Sequence, residues 1–157
     1  MVFRRISLFY GLIGCVSAHI CMLSPPQRGS MIGINKQGAT DCILLDGPCG
    51  GRPPVSPPQY GAKSGGNYTL SFQKNLDHWT AATPGQFRVL FSSSDPMDFK
   101  VLAKIADMGE PSLTIYTVNV TMPTRPPNTP VTIQVVYETN NPNAPPAFYQ
   151  CSDVMLF

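Results

Sequence analysis

The feature that most restricts the fold of this chain is the alternation of apolar and polar residues at every second position. Val131, Ile133, Val135 and Tyr137 lie at this spacing, and similar runs occur in TLSFQ, QFRVLFS, SLTIYTVNVTM and AFYQCSDVMLF. A period of two puts successive side chains on opposite faces of an extended strand. The segment FKVLAKIAD fits a strand or a short helix, and we expect a strand. These runs predict a chain built from short β-strands.

Proline and glycine separate these runs. The chain contains 17 prolines and 13 glycines, and residues 19–63 are especially rich in them, as in DGPCGGRPPVSPPQYGAKSGG. Proline lacks a backbone N–H and glycine resists ordering, so this part should form loops, turns and short edge strands. No segment shows the 3.6-residue period of a long helix. The pattern predicts a single all-β domain at residues 19–157, an antiparallel β-sandwich of the immunoglobulin or fibronectin type with long N-terminal loops.

Residues 1–18 are typical of a cleaved signal peptide. Arg4 and Arg5 give a positive start, an apolar run extends from Ile6 to Val16, and small residues end in Ala18. The apolar run is too short to span a bilayer comfortably, and no later segment is long and apolar enough. We therefore expect a protein without a transmembrane segment, secreted to the extracellular space or held at the cell surface, whose first residue is His19.

Charge and motif content exclude two classes of function. The sequence has 11 basic and 9 acidic residues, and two of the basic ones, Arg4 and Arg5, lie in the signal. The segment that remains has nine of each, which is unlike the basic surface of a nucleic-acid-binding protein. A serine hydrolase is excluded as well, because no GxSxG motif is present and His78 is the sole non-terminal histidine.

The cysteine pattern predicts disulfide bonds. One of the five cysteines lies in the signal, which leaves Cys21, Cys42, Cys49 and Cys151. An even number of cysteines in a secreted chain indicates two disulfides, and three connectivities are open. The acceptor motifs Asn67-Tyr68-Thr69 and Asn119-Val120-Thr121 predict N-glycosylation at both asparagines.

Cleavage after Ala18 would give His19 a free α-amine next to its own imidazole. The amine and Nδ1 can then chelate one metal ion, and the amine loses its proton readily near neutral pH because its ordinary pKa is about 8. A second imidazole is available in KNLDHW, at His78. Nitrogen ligands in a tetragonal array favour Cu(II). The two histidines therefore suggest a site for one copper ion per chain.

The flanking motifs resemble those of one protein family. HICMLSPPQRGS, GPCGG, KNLDHW, PGQFRVLF and YQCSDV are similar, in order and spacing, to the copper acquisition factor (BIM-type) family, which is related to lytic polysaccharide monooxygenases. The resemblance runs from His19 to Val154. It implies a secreted β-sandwich that binds copper through a histidine brace, the arrangement in which an N-terminal histidine supplies both its amine and its imidazole.

The resemblance also implies roles for particular residues. His19 would supply the amine and Nδ1, and His78 the second imidazole. In the copper acquisition group an aspartate approaches the metal, where the monooxygenases usually have a tyrosine or phenylalanine. Asp153 in YQCSDV is the candidate for this aspartate, and Asp77, which precedes His78, is the alternative.

A disulfide is expected to hold the N-terminus in place. Cys151 would tie the last strand to the N-terminal segment through Cys21, with Cys42–Cys49 as the second bond. Tyr149 lies two residues before Cys151, so both side chains share one face of the predicted strand. Tyr149 could therefore lie near the metal or belong to the core.

Two functions follow from a copper site. The first is extracellular copper binding, for acquisition, buffering or delivery, with a cell-surface copper transporter as a partner. The second is a copper-dependent lytic polysaccharide monooxygenase that oxidatively cleaves a glycan. An aspartate near copper stabilises Cu(II) over Cu(I) and disfavours the redox cycle, so the resemblance favours binding by a monomer over catalysis.

Overall fold

The computed structural model describes residues 19–93 and 98–157. The predicted signal peptide, residues 1–18, lies outside the described residues. The described residues form eight strands, with the bounds β1 His19–Ser24, β2 Tyr60–Ala62, β3 Asn67–Leu76, β4 Gln86–Ser92, β5 Lys100–Ala106, β6 Thr114–Thr121, β7 Thr129–Glu138 and β8 Ala147–Leu156. Two short 3₁₀ turns lie at Thr40–Cys42 and Cys49–Gly51. The segment FKVLAKIAD contains β5, which confirms the strand over the helix.

The strands form two sheets packed as a sandwich. The small sheet has the order β1-β3-β6 and the large sheet the order β2-β8-β7-β4-β5. Only β2 with β8 is parallel among the strand pairs of the described residues, and the others are antiparallel. The prediction of an all-β sandwich with long N-terminal loops is confirmed. No helix in residues 19–93 or 98–157 has the length and apolar character needed to cross a membrane.

The alternating residues face inward and form the core between the sheets. Ile20 and Phe72 of the small sheet and Val135 and Tyr137 of the large sheet are completely buried. Aromatic rings fill the middle of the core, where the ring centre of Phe87 lies 4.6 Å from that of Tyr137. Burying an apolar side chain of this size stabilises the fold by about 1.5–3 kcal/mol. Apolar packing therefore holds the two sheets face to face.

The two disulfides join the N-terminal loop to both sheets. Cys21 on β1 is bonded to Cys42, and Cys49 is bonded to Cys151 on β8. All four cysteines are paired, as predicted, but the expected pairs Cys21–Cys151 and Cys42–Cys49 were wrong.

Strand alternation explains why Cys21 and Cys151 do not pair. Ile20 and Met22 point into the core from β1, so Cys21 points out of the small sheet. Phe148 and Val154 point into the core from β8, so Cys151 points out of the large sheet. The two cysteines face opposite sides of the sandwich, and each therefore bonds to a cysteine of the loop that covers its own side.

We predict that the two disulfides contribute unequally to stability. Cys49–Cys151 spans 102 residues and Cys21–Cys42 spans 21. Loop-closure entropy in the unfolded chain makes the longer bond more stabilising by about 1.4 kcal/mol. Urea unfolding of the double variants C49A/C151A and C21A/C42A should show this difference in free energy of unfolding. Equal losses, or a larger loss from C21A/C42A, would contradict it.

Candidate metal centre

The two histidines lie at neighbouring strand ends of the small sheet, His19 at the start of β1 and His78 just after the end of β3. His19 begins β1, and its Cα partner on β3 is Leu76, two residues before His78. The register shifts between His19 and Ile20, which are paired with Leu76 and Lys74, so β3 has an extra residue at this point. Such a bulge re-aims the neighbouring side chains. The exposed fraction of His19 is 2% and that of His78 is 6%, so both imidazoles are packed within the protein at one end of the sandwich.

Phe148 lies against the second histidine. Its ring centre is 6.2 Å from that of His78, with 7° between the planes. The side chain is completely buried, and Tyr137 flanks it with a ring centre 6.5 Å away. Sequence reasoning did not identify Phe148. The alternation of side chains along β8 could have identified it, because the side chain of the residue before Tyr149 points toward the core.

Tyr149 points to the other side of β8. Its ring lies close to Gly47 in the N-terminal loop, where an added Cβ would be 2.9 Å from Cζ of the tyrosine. The sequence left two positions open for Tyr149, and the tyrosine lies neither at the metal site nor in the central core. Its place is on the outer face of the large sheet, under the loop that carries Cys49.

A buried ion pair lies next to the histidines. Lys74 on β3 is the Cα partner of Ile20, and its ammonium is completely buried. Lys74 Nζ donates to Asp107 Oδ1 at 2.8 Å and to Asp77 Oδ1 at 3.0 Å. Tyr137 donates its hydroxyl to Asp107 Oδ2 at 2.5 Å. These contacts fasten three segments of the chain to one another behind His78.

The backbone around His78 is held by hydrogen bonds on both sides. The Asp77 N–H donates to Ser112 Oγ and the Trp79 N–H donates to Asp77 Oδ1, both at 2.9 Å. The His78 carbonyl accepts a hydrogen bond of 2.9 Å from Asn141 Nδ2. The second imidazole therefore rests on a backbone that is fixed by the β5–β6 and β7–β8 connections.

Acidic groups surround this end of the molecule. Burial tends to raise the pKa of Glu110, but hydrogen bonds from Tyr116 and from backbone N–H groups, with the charge of Lys74, bring its pKa below the ordinary value. Burial and the hydrogen bond to Asp107 raise the pKa of Tyr137, so its hydroxyl stays protonated. Asp77, Asp107 and Glu110 together outweigh the charge of Lys74. The local field therefore favours a bound cation.

Asp153 lies away from the two histidines. Arg28 donates from Nε to Oδ2 at 2.8 Å and from Nη2 to Oδ1 at 2.6 Å, and Thr132 donates to Oδ1. Burial tends to raise the pKa of Asp153, but the hydrogen bonds from Arg28, Val55 N–H and Thr132, with the guanidinium charge, hold it below the ordinary value. The carboxylate is ionised and fully engaged in holding the N-terminal loop.

The structure does not bring Asp153 to the histidines. It is paired with Thr132 on β7, whereas Phe148, which contacts His78, is paired with Tyr137. Asp153 lies five positions after Phe148 along the extended strand, a distance of roughly 16 Å. Asp77, the alternative, is the aspartate next to His78, and both of its side-chain hydrogen bonds within the described residues are accepted by Oδ1.

The donors at this end fit copper. Among residues 19–93 and 98–157, no three His, Cys, Asp or Glu side chains group closely enough to hold a metal ion by themselves. A histidine brace does not need three side chains, because one terminal histidine supplies two nitrogens. Two imidazoles and one amine are a nitrogen set suited to Cu(II).

Several solved structures share this fold. A lytic polysaccharide monooxygenase of class AA15 from Thermobia domestica, in the Cu(I) state, has a TM-score of 0.57 at 16% identity, over 88% of this chain and 98% of that chain. A lytic polysaccharide monooxygenase important for efficient utilization of chitin in Cellvibrio japonicus has a TM-score of 0.53 at 15% identity, over 87% and 99%. A chitin binding domain from Burkholderia pseudomallei has a TM-score of 0.53 at 12% identity, over 89% and 100%. At such identities the likeness establishes the fold alone.

The sequence itself identifies the family. The family model described as Copper acquisition factor BIM1-like matches residues 17–157, and the chain belongs to that family. A search of curated proteins finds no match. The family resemblance predicted from the motifs is confirmed, and membership of the family indicates a copper-related function.

We predict that the Lys74 network is essential to the stability of this end. Lys74→Met would leave the buried Asp107 carboxylate without its partner, at a cost of about 3–5 kcal/mol. Lys100→Met is the matched control, because Lys100 and its partner Asp98 are 61% and 66% exposed, and it should cost less than about 0.5 kcal/mol. Chemical unfolding of the two variants measures the difference. Similar losses in both would refute the importance of the buried pair.

Asp153→Asn should separate a structural role from a role at the metal. Asparagine leaves the Arg28 charge without its partner, so we expect a loss of about 3 kcal/mol at pH 7. The lowered pKa means that Asp153 stabilises the fold above the unfolded pKa of about 3.9 and that this contribution disappears as the pH falls through the folded pKa. The difference between variant and wild type should therefore shrink in acid.

The copper spectrum of the same variant provides the second measurement. Because Asp153 lies away from the histidines, the EPR spectrum of copper-loaded Asp153→Asn should match that of the wild type. A changed hyperfine pattern in a folded sample would indicate that Asp153 lies at the metal site after all.

Proposed function

We propose that this protein binds one copper ion through a histidine brace and serves in extracellular copper acquisition, buffering or delivery. The amine and Nδ1 of His19 and an imidazole nitrogen of His78 are the three ligands. The pairing of His19 with Leu76, two residues before His78, is the observation that carries the proposal. Membership of the copper acquisition family supports it.

The charge around the site supports binding of Cu(II). Asp77 and Asp107 lie behind His78, with one buried lysine between them. Negative charge near a metal favours the higher oxidation state, because it interacts more strongly with the larger positive charge. In this proposal Asp77, and not Asp153, is the acidic residue near the metal. The bound ion is cargo, which the protein accepts, holds and releases.

We propose that the protein binds its copper outside the cell. Removal of residues 1–18 would expose the amine of His19, and the two disulfides fit an oxidising compartment. A cell-surface copper transporter is the partner that such a carrier requires. We propose a monomer, which delivers one ion at a time.

Polysaccharide oxidation is the second candidate function. The stacking of Phe148 on His78 favours it, because the second histidine has an apolar ring as its neighbour on one side. Bound copper would supply one-electron redox chemistry at this site. Phe148 would exclude water from the face of the His78 ring that it covers and would help to hold that ring in a fixed orientation.

The brace predicts a strict requirement for a free His19 amine. One residue added before His19 removes a ligand, which should weaken Cu(II) binding by roughly 100-fold or more. His78→Ala should weaken binding by a similar factor while the fold is kept. Isothermal titration measures both affinities, and N-terminal sequencing of the secreted wild type tests whether His19 is the first residue. Unchanged affinity in the extended form would end the proposal.

An activity assay separates the two functions. We expect no oxidised oligosaccharides when the copper-loaded protein is incubated with a reductant, oxygen and chitin or cellulose. The matched control is His78→Ala, treated with the same amount of copper and freed of unbound metal in the same way. Oxidised products from the wild type and not from the control would establish the monooxygenase in place of the carrier.

A further inference from the structure

The two N-glycosylation motifs lie directly opposite each other in the small sheet. In the antiparallel register of β3 with β6, Asn67 is paired with Thr121 and Thr69 is paired with Asn119. The acceptor asparagine of each motif therefore faces the threonine of the other. Nothing in the linear sequence indicates this, because about 50 residues separate the motifs and the relation exists only in the folded sheet.

Each threonine is hydrogen-bonded to the asparagine of the other motif. Thr69 Oγ1 donates to Asn119 Oδ1 at 2.6 Å, and Thr121 Oγ1 donates to Asn67 Oδ1 at 3.4 Å. All four of these side chains are exposed on the outer face of the sheet. Both contacts use the amide oxygen, whereas a glycan is attached to Nδ2. The contacts are therefore compatible with a glycan on each asparagine.

We propose that Asn67 and Asn119 form one interlocked modification site that carries two N-glycans side by side. In each transfer, Nδ2 attacks the anomeric carbon of a lipid-diphosphate-linked oligosaccharide. The new C–N bond replaces the C–O bond, the lipid diphosphate leaves with the electron pair, and Nδ2 releases one proton to solvent. The diagonal position of the asparagines across β3 and β6 puts their Cβ atoms roughly 7–8 Å apart.

The same geometry determines when the glycans are added. The acceptor motif requires the threonine hydroxyl, and in the folded sheet each hydroxyl is donated to the opposite asparagine. The β-ladder also holds both motifs in a paired strand, where an enzyme cannot take them up. Both transfers therefore precede the pairing of β3 with β6, and folding then closes the site.

The position of the pair suggests what the glycans protect. β6 is an edge strand of the small sheet, and an exposed edge is open to pairing with another chain. A glycan on Asn119 blocks such an approach. Asn67 lies nine residues before Leu76 on β3, roughly 30 Å along the strand, so this attachment point is at the far end of β3 from the candidate metal centre.

Mass spectrometry of the full chain, expressed in a eukaryotic secretory host, tests the proposal. The wild type should carry two glycans on the same molecule, and Asn67→Gln and Asn119→Gln should carry one each. Thr69→Ser is the matched control, because it keeps the hydroxyl and should retain both glycans, whereas Thr69→Val should lose the glycan on Asn67 alone. Wild-type molecules with one glycan or none would overturn the proposal.

A second experiment tests the order of events. Unglycosylated protein from a bacterial host is incubated with oligosaccharyltransferase and a lipid-linked donor, either folded with its disulfides intact or reduced and unfolded. Transfer to both asparagines of the unfolded form, without transfer to the folded form, is expected. Equal transfer to the folded protein would show that sheet closure does not protect the site.

Discussion

The antiparallel pairing of β1 with β3 is the interaction on which the rest of this structure depends. A strand at the start of a domain tends to fray unless it is tied down, and a site built on it would be poorly organised. Here Ile20 and Met22 are completely buried in the core, and Cys21 between them is held by a disulfide on the outer face. Apolar burial on one side and a covalent bond on the other hold His19 opposite Leu76.

The buried charges behind the histidines follow from this pairing. Lys74 lies opposite Ile20 and is removed from water by β1. An isolated ammonium in the interior costs several kcal/mol, so carboxylates must accompany it. Asp77 and Asp107 meet this need, and in doing so they draw the segment that carries His78 and the β5–β6 connection into one cluster. The orientation of His78 and the stability of this end therefore have the same origin.

The opposite end of β8 has a structural role. Arg28 and Asp153 form a buried pair that fastens the proline-rich loop to the large sheet, close to the Cys49–Cys151 bond. The motif YQCSDV therefore contributes to the architecture, while the residue just before it, Phe148, contacts His78. A family motif indicates that a residue matters to the fold or the site, and only its position along the strand distinguishes the two.

The sequence by itself determined the class of fold, the family and the participation of all four cysteines in disulfides. Alternating runs such as Val131 to Tyr137 specify which residues of a strand share a face, and proline and glycine mark where strands end. The sequence also singled out His19 and His78, because histidine is rare in this chain. Only the tertiary structure decided the pairing of the cysteines, the partner of Asp153, the place of Phe148 and the reciprocal contact of the two glycosylation motifs. Local periodicity reports the face on which a side chain lies, but the neighbour that it meets depends on strand register and on the path of a long loop, and these are set by packing between residues far apart in the chain.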